Sequence, residues 1–158
     1  MPKKRTYREF RQGVYRPENK EKCLNTSPVI FRSNLELKLM KILDFNVNVI
    51  KWSSEQIIIP YEKPGPVKKM ARYFTDAYVE IKIGEIIKKL IIEIKPERQT
   101  IRPVPSKRKK QSTILYESLA YAINDAKWKA AKEYAKKKDM EFIIITEKNI
   151  DFLEGKHK

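Results

Sequence analysis

The residues of this chain best suited to chemistry are two carboxylates and a lysine, Asp76, Glu93 and Lys95. Side chains alternate along a β-strand with a period of two, so Glu93 and Lys95 share one strand face. Where Asp76 lies opposite Glu93, the Cβ atoms are about 4.5–5.5 Å apart, and like charges at that distance are destabilising. A hard divalent cation offsets the repulsion, because Mg²⁺ takes carboxylate oxygens and keeps waters that can be activated or can contact a phosphate. The three residues therefore predict a metal site suited to hydrolysis.

A predicted β-hairpin brings the two carboxylates together. Residues 84–85 are Gly followed by Glu, which suits a tight two-residue turn. The strands on either side then cover residues 73–83 and 86–95, and this register sets Asp76 directly opposite Glu93. The alternative is that one of the two carboxylates simply faces solvent. Glu93 argues against it, because it interrupts an apolar run typical of a central, buried strand.

The composition is that of a single domain without disulfide bonds. A chain of 158 residues can bury enough apolar surface to fold without structural metal. The single cysteine, Cys23, excludes an internal disulfide and favours a reducing compartment. The single histidine, His157, lies near a charged terminus, which disfavours histidine-based catalysis. We predict a basic N-terminal arm over residues 1–27, one domain over residues 28–153 and a tail over residues 154–158.

The excess of positive charge indicates a polyanionic partner. Lys and Arg number 35 against 20 for Asp and Glu, which gives a formal net charge of +15 and a sequence pI near 9.8. Such a field attracts nucleic acid or an anionic membrane surface. No segment approaches the roughly 20 apolar residues of a membrane span. We therefore expect nucleic acid as the partner and no membrane.

Basic side chains that follow the Glu93 strand are the candidate DNA contacts. Segment 96–111 contains three prolines, which keep such a loop extended, and a run of four basic residues. A flexible, exposed crossover is the alternative. The arm over residues 1–27 interleaves basic and aromatic residues, and it either orders against a partner or only aids solubility. The candidate DNA-binding residues are Arg98, Lys107, Arg108, Lys109, Lys110 and Lys127.

The elements around the hairpin predict an α/β fold, in which a mixed sheet has helices on both faces. A long helix after the hairpin returns the last strand parallel to the Glu93 strand. The stripe of this helix expected to face the sheet consists of Leu115, Leu119, Ala122, Ala126, Ala130 and Tyr134. The remaining predicted elements are a helix over 33–44, a connector over 46–51, a strand over 55–61, the long helix over 113–138 and a buried strand over 141–146.

The spacing of Asp76, Glu93 and Lys95 resembles that of the PD-(D/E)xK nuclease superfamily, and the three residues fall on its three signature positions. Other segments extend the resemblance over nearly the whole chain, to the head-completion nucleases of T-even-type tailed phages. These segments are Arg-Gln-Gly-Val-Tyr-Arg-Pro at 11–17, Phe-Arg-Ser-Asn-Leu-Glu at 31–36, Ser-Glu at 54–55, Ile-Pro-Tyr at 59–61, Lys-Pro at 95–96, Gln-Thr at 99–100, Tyr-Ala-Ile-Asn at 121–124, Ala-Lys-Trp at 126–128 and Thr-Glu at 146–147.

The resemblance implies a restriction-endonuclease-like core and a DNA endonuclease that uses Mg²⁺, or Mn²⁺ in its place. Asp76, Glu93 and the carbonyl of Ile94 are then the metal ligands, and Lys95 orients or activates the attacking water. The family acts late in head assembly, after packaging and before tail joining. This implies portal or neck proteins as partners, and the host cytoplasm or the virion head–neck region as the location. One departure is Thr75, where the family usually has Pro.

Glu36 has two roles open to it. Ser33 and Glu36 fit a capping box at the start of the first helix, in which the glutamate accepts a hydrogen bond from the backbone N–H of Ser33, the cap residue itself. Many PD-(D/E)xK nucleases instead direct a glutamate of this helix into the active site, so Glu36 is also a catalytic candidate. Glu55 is a secondary candidate, and its alternative is a solvated charge at the start of a strand.

Two other functions remain open at this point. A structural protein that binds DNA ends or the neck, with a vestigial nuclease site, would need the basic segments and not the catalytic residues. A transposition or junction-resolving nuclease of the same superfamily would share the site. Cleavage preference among duplex ends, branched junctions and linear duplex separates the nucleases.

Overall fold

A four-stranded mixed sheet forms the centre of the structure, a computed structural model that describes residues 12–154. In chain order the elements are β1 (Gly13–Tyr15), β2 (Val29–Phe31), α1 (Asn34–Phe45), β3 (Val49–Ser54), β4 (Ile58–Lys63), β5 (Lys69–Phe74), β6 (Ala77–Ile83), β7 (Ile86–Ile94), α2 (Gln111–Lys137) and β8 (Glu141–Ile145), with short 3-10 turns at Lys20–Lys22, Glu97–Gln99 and Ile150–Glu154.

The order of strands in the central sheet is β3-β6-β7-β8. β6 is antiparallel to both β3 and β7, and β8 lies parallel to β7. A parallel neighbour requires a long crossover, which α2 provides. The two remaining pairs, β1 with β2 and β4 with β5, form separate two-stranded sheets. The predicted α/β class, a mixed sheet flanked by helices, is confirmed.

The two faces of the central sheet pack on different partners. Alternate residues of β7, Leu90, Ile92 and Ile94, join the core beneath α1, because a strand presents every second side chain to one face. A second core lies between α2 and the β4–β5 pair, and it includes Tyr61, Tyr73 and Ala131. Side chains of β7 that point toward α2 therefore meet the β4–β5 pair. Glu93 is one of these side chains, and it contacts Tyr73 of β5.

The predicted hairpin register is confirmed. Ala77 pairs with Ile92 and Val79 with Leu90, and the turn between β6 and β7 has Gly84 at a positive φ of 61°. The single predicted strand over residues 73–83 is wrong, because the chain leaves one sheet and enters another at Thr75–Asp76. The backbone N–H and the hydroxyl of Thr75 both donate to the carbonyl of Ile57, each at 3.1 Å. These two bonds replace strand pairing at the break.

The segment predicted as a connector, residues 46–51, is wrong, since β3 (Val49–Ser54) is an edge strand of the central sheet. Val49 and Trp52 are both buried although they lie three positions apart, which breaks the period of two. A register shift between Val49 and Lys51 against β6 explains this, because a β-bulge adds one residue to one strand. The predicted strand over 55–61 is displaced to Ile58–Lys63.

Residues 13–27, predicted as part of an arm, are packed against the domain. β1 pairs with β2, and a Cβ on Gly13 would lie 2.8 Å from Cζ of Phe31, so only glycine fits there. Asn25 donates to the carbonyl of Ser54 and accepts from its N–H, at 2.9 and 2.8 Å. The rest of the predicted arm, residues 1–11, and the end of the tail, residues 155–158, lie outside the described residues.

Asp44, near the end of α1, holds this N-terminal segment in place by hydrogen bonds. Its side chain is fully buried and accepts hydrogen bonds from the Tyr15 hydroxyl at 2.6 Å and from the backbone N–H groups of Glu18 and Asn19 at 2.8 and 2.9 Å. Burial alone would raise the pKa of Asp44, but these bonds outweigh burial and lower the pKa below its ordinary value. The carboxylate is therefore held ionised.

We expect Asp44→Asn to lower the free energy of unfolding at pH 7 by about 1.5–3 kcal/mol, the value of a hydrogen bond to a charged group. A carboxyl whose pKa is lower in the folded state contributes stability above the unfolded pKa. That stability is lost as pH falls through the folded pKa. Urea unfolding at pH 7 and near pH 3 should show the difference from wild type shrinking in acid. A difference that stays constant would contradict this role.

Candidate active site

The site lies where β6 begins and β7 ends. The pairing of Ala77 with Ile92 continues one step outward, which sets Asp76 beside Glu93. The Asp76 carboxylate accepts the backbone N–H of Ile94 at 2.7 Å, so its orientation is fixed by the strand that carries Glu93. Nζ of Lys95 lies 3.4 Å from Oε1 of Glu93. The structure thus brings together the two carboxylates and the lysine that the sequence singled out.

Glu93 is close enough to Asp76 to shift the pKa of Asp76. Burial raises the pKa of Asp76 well above its ordinary value, and the negative charge of Glu93 raises it further. The N–H of Ile94 acts in the opposite direction, and the charge of Glu36 adds to the increase. A cation bound between two partly buried carboxylates would offset the repulsion between their negative charges.

Glu93 is buried on the face of β7 that points toward α2, with a relative exposure of 4%. The hydroxyl of Tyr73, at the end of β5, donates a hydrogen bond to Oε2 of Glu93. Burial raises the pKa of Tyr73, and the neighbouring Glu93 raises it further, so the phenol stays protonated as a donor. Tyr73 fixes one oxygen of Glu93, while Lys95 lies beside the other.

Comparison with known proteins decides the family. The family described as "TnsA-like endonuclease N terminal" matches residues 46–147, a segment that holds the whole central sheet and all three site residues. The protein named "Head completion nuclease" of Enterobacteria phage T4 is 32% identical over 139 residues, which cover 85% of this chain and 90% of that protein. The chain belongs to the head completion nuclease family. It is accordingly an endonuclease, and its mixed sheet is the PD-(D/E)xK fold.

The donor set of this nuclease fits a hard divalent cation. Asp76 and Glu93 offer carboxylate oxygens, and the carbonyl of Ile94 adjoins them in sequence. Within residues 12–154 no group of three or more His, Cys, Asp or Glu side chains is arranged to hold a metal ion. Two carboxylates suffice for Mg²⁺, which usually takes one or two and completes its shell with waters and substrate phosphate.

Thr75, the departure from the usual Pro of the PD-(D/E)xK pattern, has a structural role in this nuclease. It is buried, and the two hydrogen bonds to the carbonyl of Ile57 hold the chain just before Asp76. A proline has no N–H and could form neither bond. Threonine therefore positions Asp76 by hydrogen bonding at a place where the usual residue relies on a rigid ring.

Glu36 forms half of the predicted capping box and also lies near the site: the Ser33 cap is present, but the carboxylate bonds the N–H of Arg32 and not that of Ser33. Its N–H donates to the hydroxyl of Ser33 at 3.1 Å, and its carboxylate accepts the N–H of Arg32 at 2.9 Å. The same side chain lines a cavity of about 10 Å³ together with Asp76 and Glu55. Glu36 thus bonds the start of α1 and lies near enough for its charge to act on Asp76, so the two roles proposed for it are compatible.

Glu55 is placed at the rim of the site. It forms an ion pair with Arg32, and its N–H donates to the carbonyl of Asp76 at 3.3 Å. Its backbone has a positive φ of 55°, which costs a residue with a side chain about 1 kcal/mol or more. The alternative prediction is that Glu55 is only a solvated charge at the start of a strand. It does not include the ion pair of Glu55 with Arg32.

The candidate DNA contacts of the nuclease occupy two different environments. Arg98 and Lys109 line a cleft between segment 96–110 and the first half of α2. Lys107, Arg108 and Lys110 are exposed on the same segment. Lys127 differs, because its Nζ lies 5.5 Å from the ring centroid of Tyr73 and 5.9 Å from that of Tyr61. Lys127 therefore lies against the rings of Tyr61 and Tyr73, and Lys109 is paired with Glu117. The others, Arg98, Lys107, Arg108 and Lys110, are available to a polyanion.

The predicted apolar stripe of α2 is wrong in its first half. Leu115 and Leu119 are 71% and 48% exposed, and the buried residues of the helix are Trp128, Ala131 and Ala135. A helix of 27 residues is about 40 Å long, whereas the five residues of β8 span about 17 Å. The first half of α2 therefore extends beyond the sheet. No described helix is long and apolar enough to cross a membrane.

The role of Tyr73, which sequence patterns did not reveal, gives a testable prediction for this nuclease. Tyr73→Phe keeps the ring and removes the donor to Glu93, so we expect cleavage to fall about 10–100-fold, as for other groups that orient a metal ligand. The matched control is Tyr78→Phe, which removes a hydroxyl bonded to Glu80 at 2.8 Å on β6 of the central sheet. Equal cleavage rates for the two variants would contradict the role of Tyr73.

Proposed function

We propose that this endonuclease hydrolyses phosphodiester bonds of double-stranded DNA with the help of Mg²⁺ or Mn²⁺. The observation that supports this is the placement of Asp76 beside Glu93, with Nζ of Lys95 3.4 Å from Glu93. Asp76, Glu93 and the carbonyl of Ile94 would hold the cation. When bound, the cation supplies Lewis-acid stabilisation of the charge on the scissile phosphate.

The remaining catalytic roles belong to residues of this chain. The N–H of Ile94 and the hydroxyl of Tyr73 hold the two carboxylates in fixed orientations before substrate arrives. Lys95, with its side chain partly exposed, orients the attacking water and offsets negative charge that develops on the phosphate. Glu36, which lines the same small cavity as Asp76, would contact the same water.

The basic segment after β7 supports DNA as the substrate. Lys107, Arg108 and Lys110 are exposed, and the whole chain carries a formal net charge of +15. Each phosphate that lysine or arginine neutralises releases counterions, so binding to duplex DNA should weaken steeply with salt. An affinity that is the same at low and physiological salt would contradict this part of the proposal.

The biological setting that we propose is the completion of phage heads. The T4 relative is named for this role, and the aligned region covers 85% of this chain and 90% of the T4 protein. Cleavage of DNA after packaging and before tail joining would place the protein with portal or neck proteins. Its location would be the host cytoplasm during assembly or the head–neck region of the virion.

A plasmid assay tests the proposed activity. Supercoiled DNA is incubated with wild type in EDTA, and Mg²⁺ or Mn²⁺ is then added in excess. We expect no cleavage in EDTA, and nicked and linear products after either cation is restored. Cleavage at the same rate in EDTA, or none with either cation, would contradict the proposal.

A second candidate function is favoured by the match to TnsA-like endonucleases, which points to the transposition or junction-resolving alternative. The same site would then act on branched or joined DNA. Cleavage rates on linear duplex, duplex ends and four-way junctions separate the two candidates. Head completion retained by an inactive Asp76→Ala variant in phage complementation would instead favour a structural role.

A further inference from the structure

A cleft of about 650 Å³ opens between segment 96–110 and the first half of α2. The exposed part of α2, which does not reach the sheet, forms one wall. The residues of the cleft that carry the argument are Arg98, Ile101, Arg102, Lys109, Tyr116 and Tyr121. Its volume falls within the roughly 300–1,000 Å³ of sites that bind small organic groups.

The cleft combines cationic, aromatic and apolar surface. Tyr116 and Ile101 are 75% and 59% exposed, so large apolar surfaces face solvent here. The guanidinium of Arg102 lies 5.9 Å from the ring centroid of Tyr121. Among residues 12–154, neither Arg98 nor Arg102 forms an ion pair with a carboxylate.

The acidic residue of the cleft does not cancel its positive charge. Glu117 is paired with Lys109, whose Nζ lies 2.8 Å from Oε2 of the glutamate. This pair is close to neutral. Neither arginine forms an ion pair with a described residue, although Arg98, after backbone hydrogen bonds, helps to lower the pKa of the nearby Glu147 carboxyl. The cleft therefore suits an anion that also has flat apolar surfaces.

We propose that the cleft binds an unpaired strand of DNA, with bases stacked on Tyr116 and Tyr121 and phosphates held by Arg98 and Arg102. This rests on the proposed nuclease function and specifies its substrate as DNA with a single-stranded segment beside the cut. Base faces in a duplex are covered by neighbouring bases, so an exposed tyrosine has none to stack on. In a single strand every base offers a free face.

The cleft is near enough to the candidate active site to hold the strand being cut. Arg98 follows Lys95 by three residues, so their Cα atoms are at most about 11 Å apart. On the other wall, Asn124 lies one helical turn before Lys127, which contacts Tyr73. A stacked strand advances about 3.4 Å along its axis for each nucleotide, so about three nucleotides connect the cleft to the site.

Binding measured without catalysis tests this inference. The full-length protein in EDTA is titrated into three labelled probes of 12 nucleotides: a thymidine strand, an abasic strand and a duplex. We expect Tyr116→Ala to weaken binding of the thymidine strand about 5-fold or more, since one base–aromatic stack contributes about 1–3 kcal/mol. Binding of the abasic strand and of the duplex should change less than about 2-fold.

Phe152→Ala is the matched control, because Phe152 is 64% exposed and lies outside the cleft. It should leave binding of all three probes unchanged. Unchanged binding of the thymidine strand by Tyr116→Ala overturns the inference, and so does an equal loss for the duplex. Because EDTA excludes cleavage, such a result leaves the plasmid assay to judge the nuclease function separately.

Discussion

Asp76→Asn is expected to abolish DNA cleavage while it stabilises the protein in the absence of divalent cations. Asparagine retains an oxygen that can accept the N–H of Ile94, now bonded at 2.7 Å, so the local backbone should be kept. Loss of a group that orients a metal ligand costs about 10–100-fold. Loss of the ligand itself should therefore cost more than about 100-fold in cleavage rate.

The stabilisation has a separate cause. Asparagine at position 76 has no negative charge, so its repulsion with Glu93 is lost. After burial, this repulsion is the second cause of the raised pKa of Asp76 in wild type. Sites optimised for function commonly gain about 0.5–2 kcal/mol when such a conflict is removed. Thermal unfolding in EDTA measures this gain, and a plasmid assay measures the loss of activity.

The control for Asp76→Asn is Asp125→Asn on α2. Asp125 is exposed and pairs only with Lys129 among the contacts described, at 3.0 Å. The free energy of unfolding should change by less than about 0.5 kcal/mol. The cleavage rate should equal that of wild type. An Asp76→Asn protein that retains more than a tenth of wild-type activity would contradict the assignment of Asp76.

Lys95→Met should lower the cleavage rate about 100-fold or more at saturating DNA, in the range of about 10²–10⁴ typical of a group that assists proton transfer. Methionine retains much of the aliphatic length and removes the charge beside Glu93. Binding of duplex DNA in EDTA should change little, because many other basic residues contribute to it. Cleavage at saturation separates the chemical step from binding.

Lys89→Met is the matched control for Lys95. Lys89 lies on β7, six residues before Lys95, so both side chains point to the same side of the strand. It is exposed and remote from Asp76. A similar loss of cleavage by both variants would mean that general positive charge, and not the position of Lys95, is responsible.

The part of the site that sequence could predict depends on local rules. Gly84 suits a tight turn, and a hairpin of known turn length has one register, so the pairing of Asp76 with Glu93 followed. The cap that the Ser33 hydroxyl forms with the N–H of Glu36 is equally local. These features are set by residues a few positions apart or by a single turn.

The rest depended on contacts between distant parts of the chain. Tyr73 reaches Glu93 only because the chain changes sheets at Thr75–Asp76, and no local pattern indicates this break. The bulge in β3 concealed a strand by placing Val49 and Trp52 on one side. Alternation and turn residues predict strands, but they do not show which sheet a strand joins.

The length of α2 had a similar effect on the functional prediction. Its leucines follow helical spacing, which predicts a buried stripe, yet Leu115 is exposed because the helix extends past the sheet. The depth of packing depends on the tertiary partner and not on the helix alone. The same overhang forms the cleft that contains Tyr116.

The central claim is that Asp76 and Glu93 hold the cation at which DNA is cut. Anomalous diffraction from crystals of wild type and Asp76→Asn soaked in Mn²⁺ tests it most directly. We predict one strong peak in wild type, within about 2.5 Å of carboxylate oxygens of both Asp76 and Glu93, and none there in Asp76→Asn. A peak bound elsewhere, for example between Glu36 and Glu55, or the same peak in the variant, would contradict the claim.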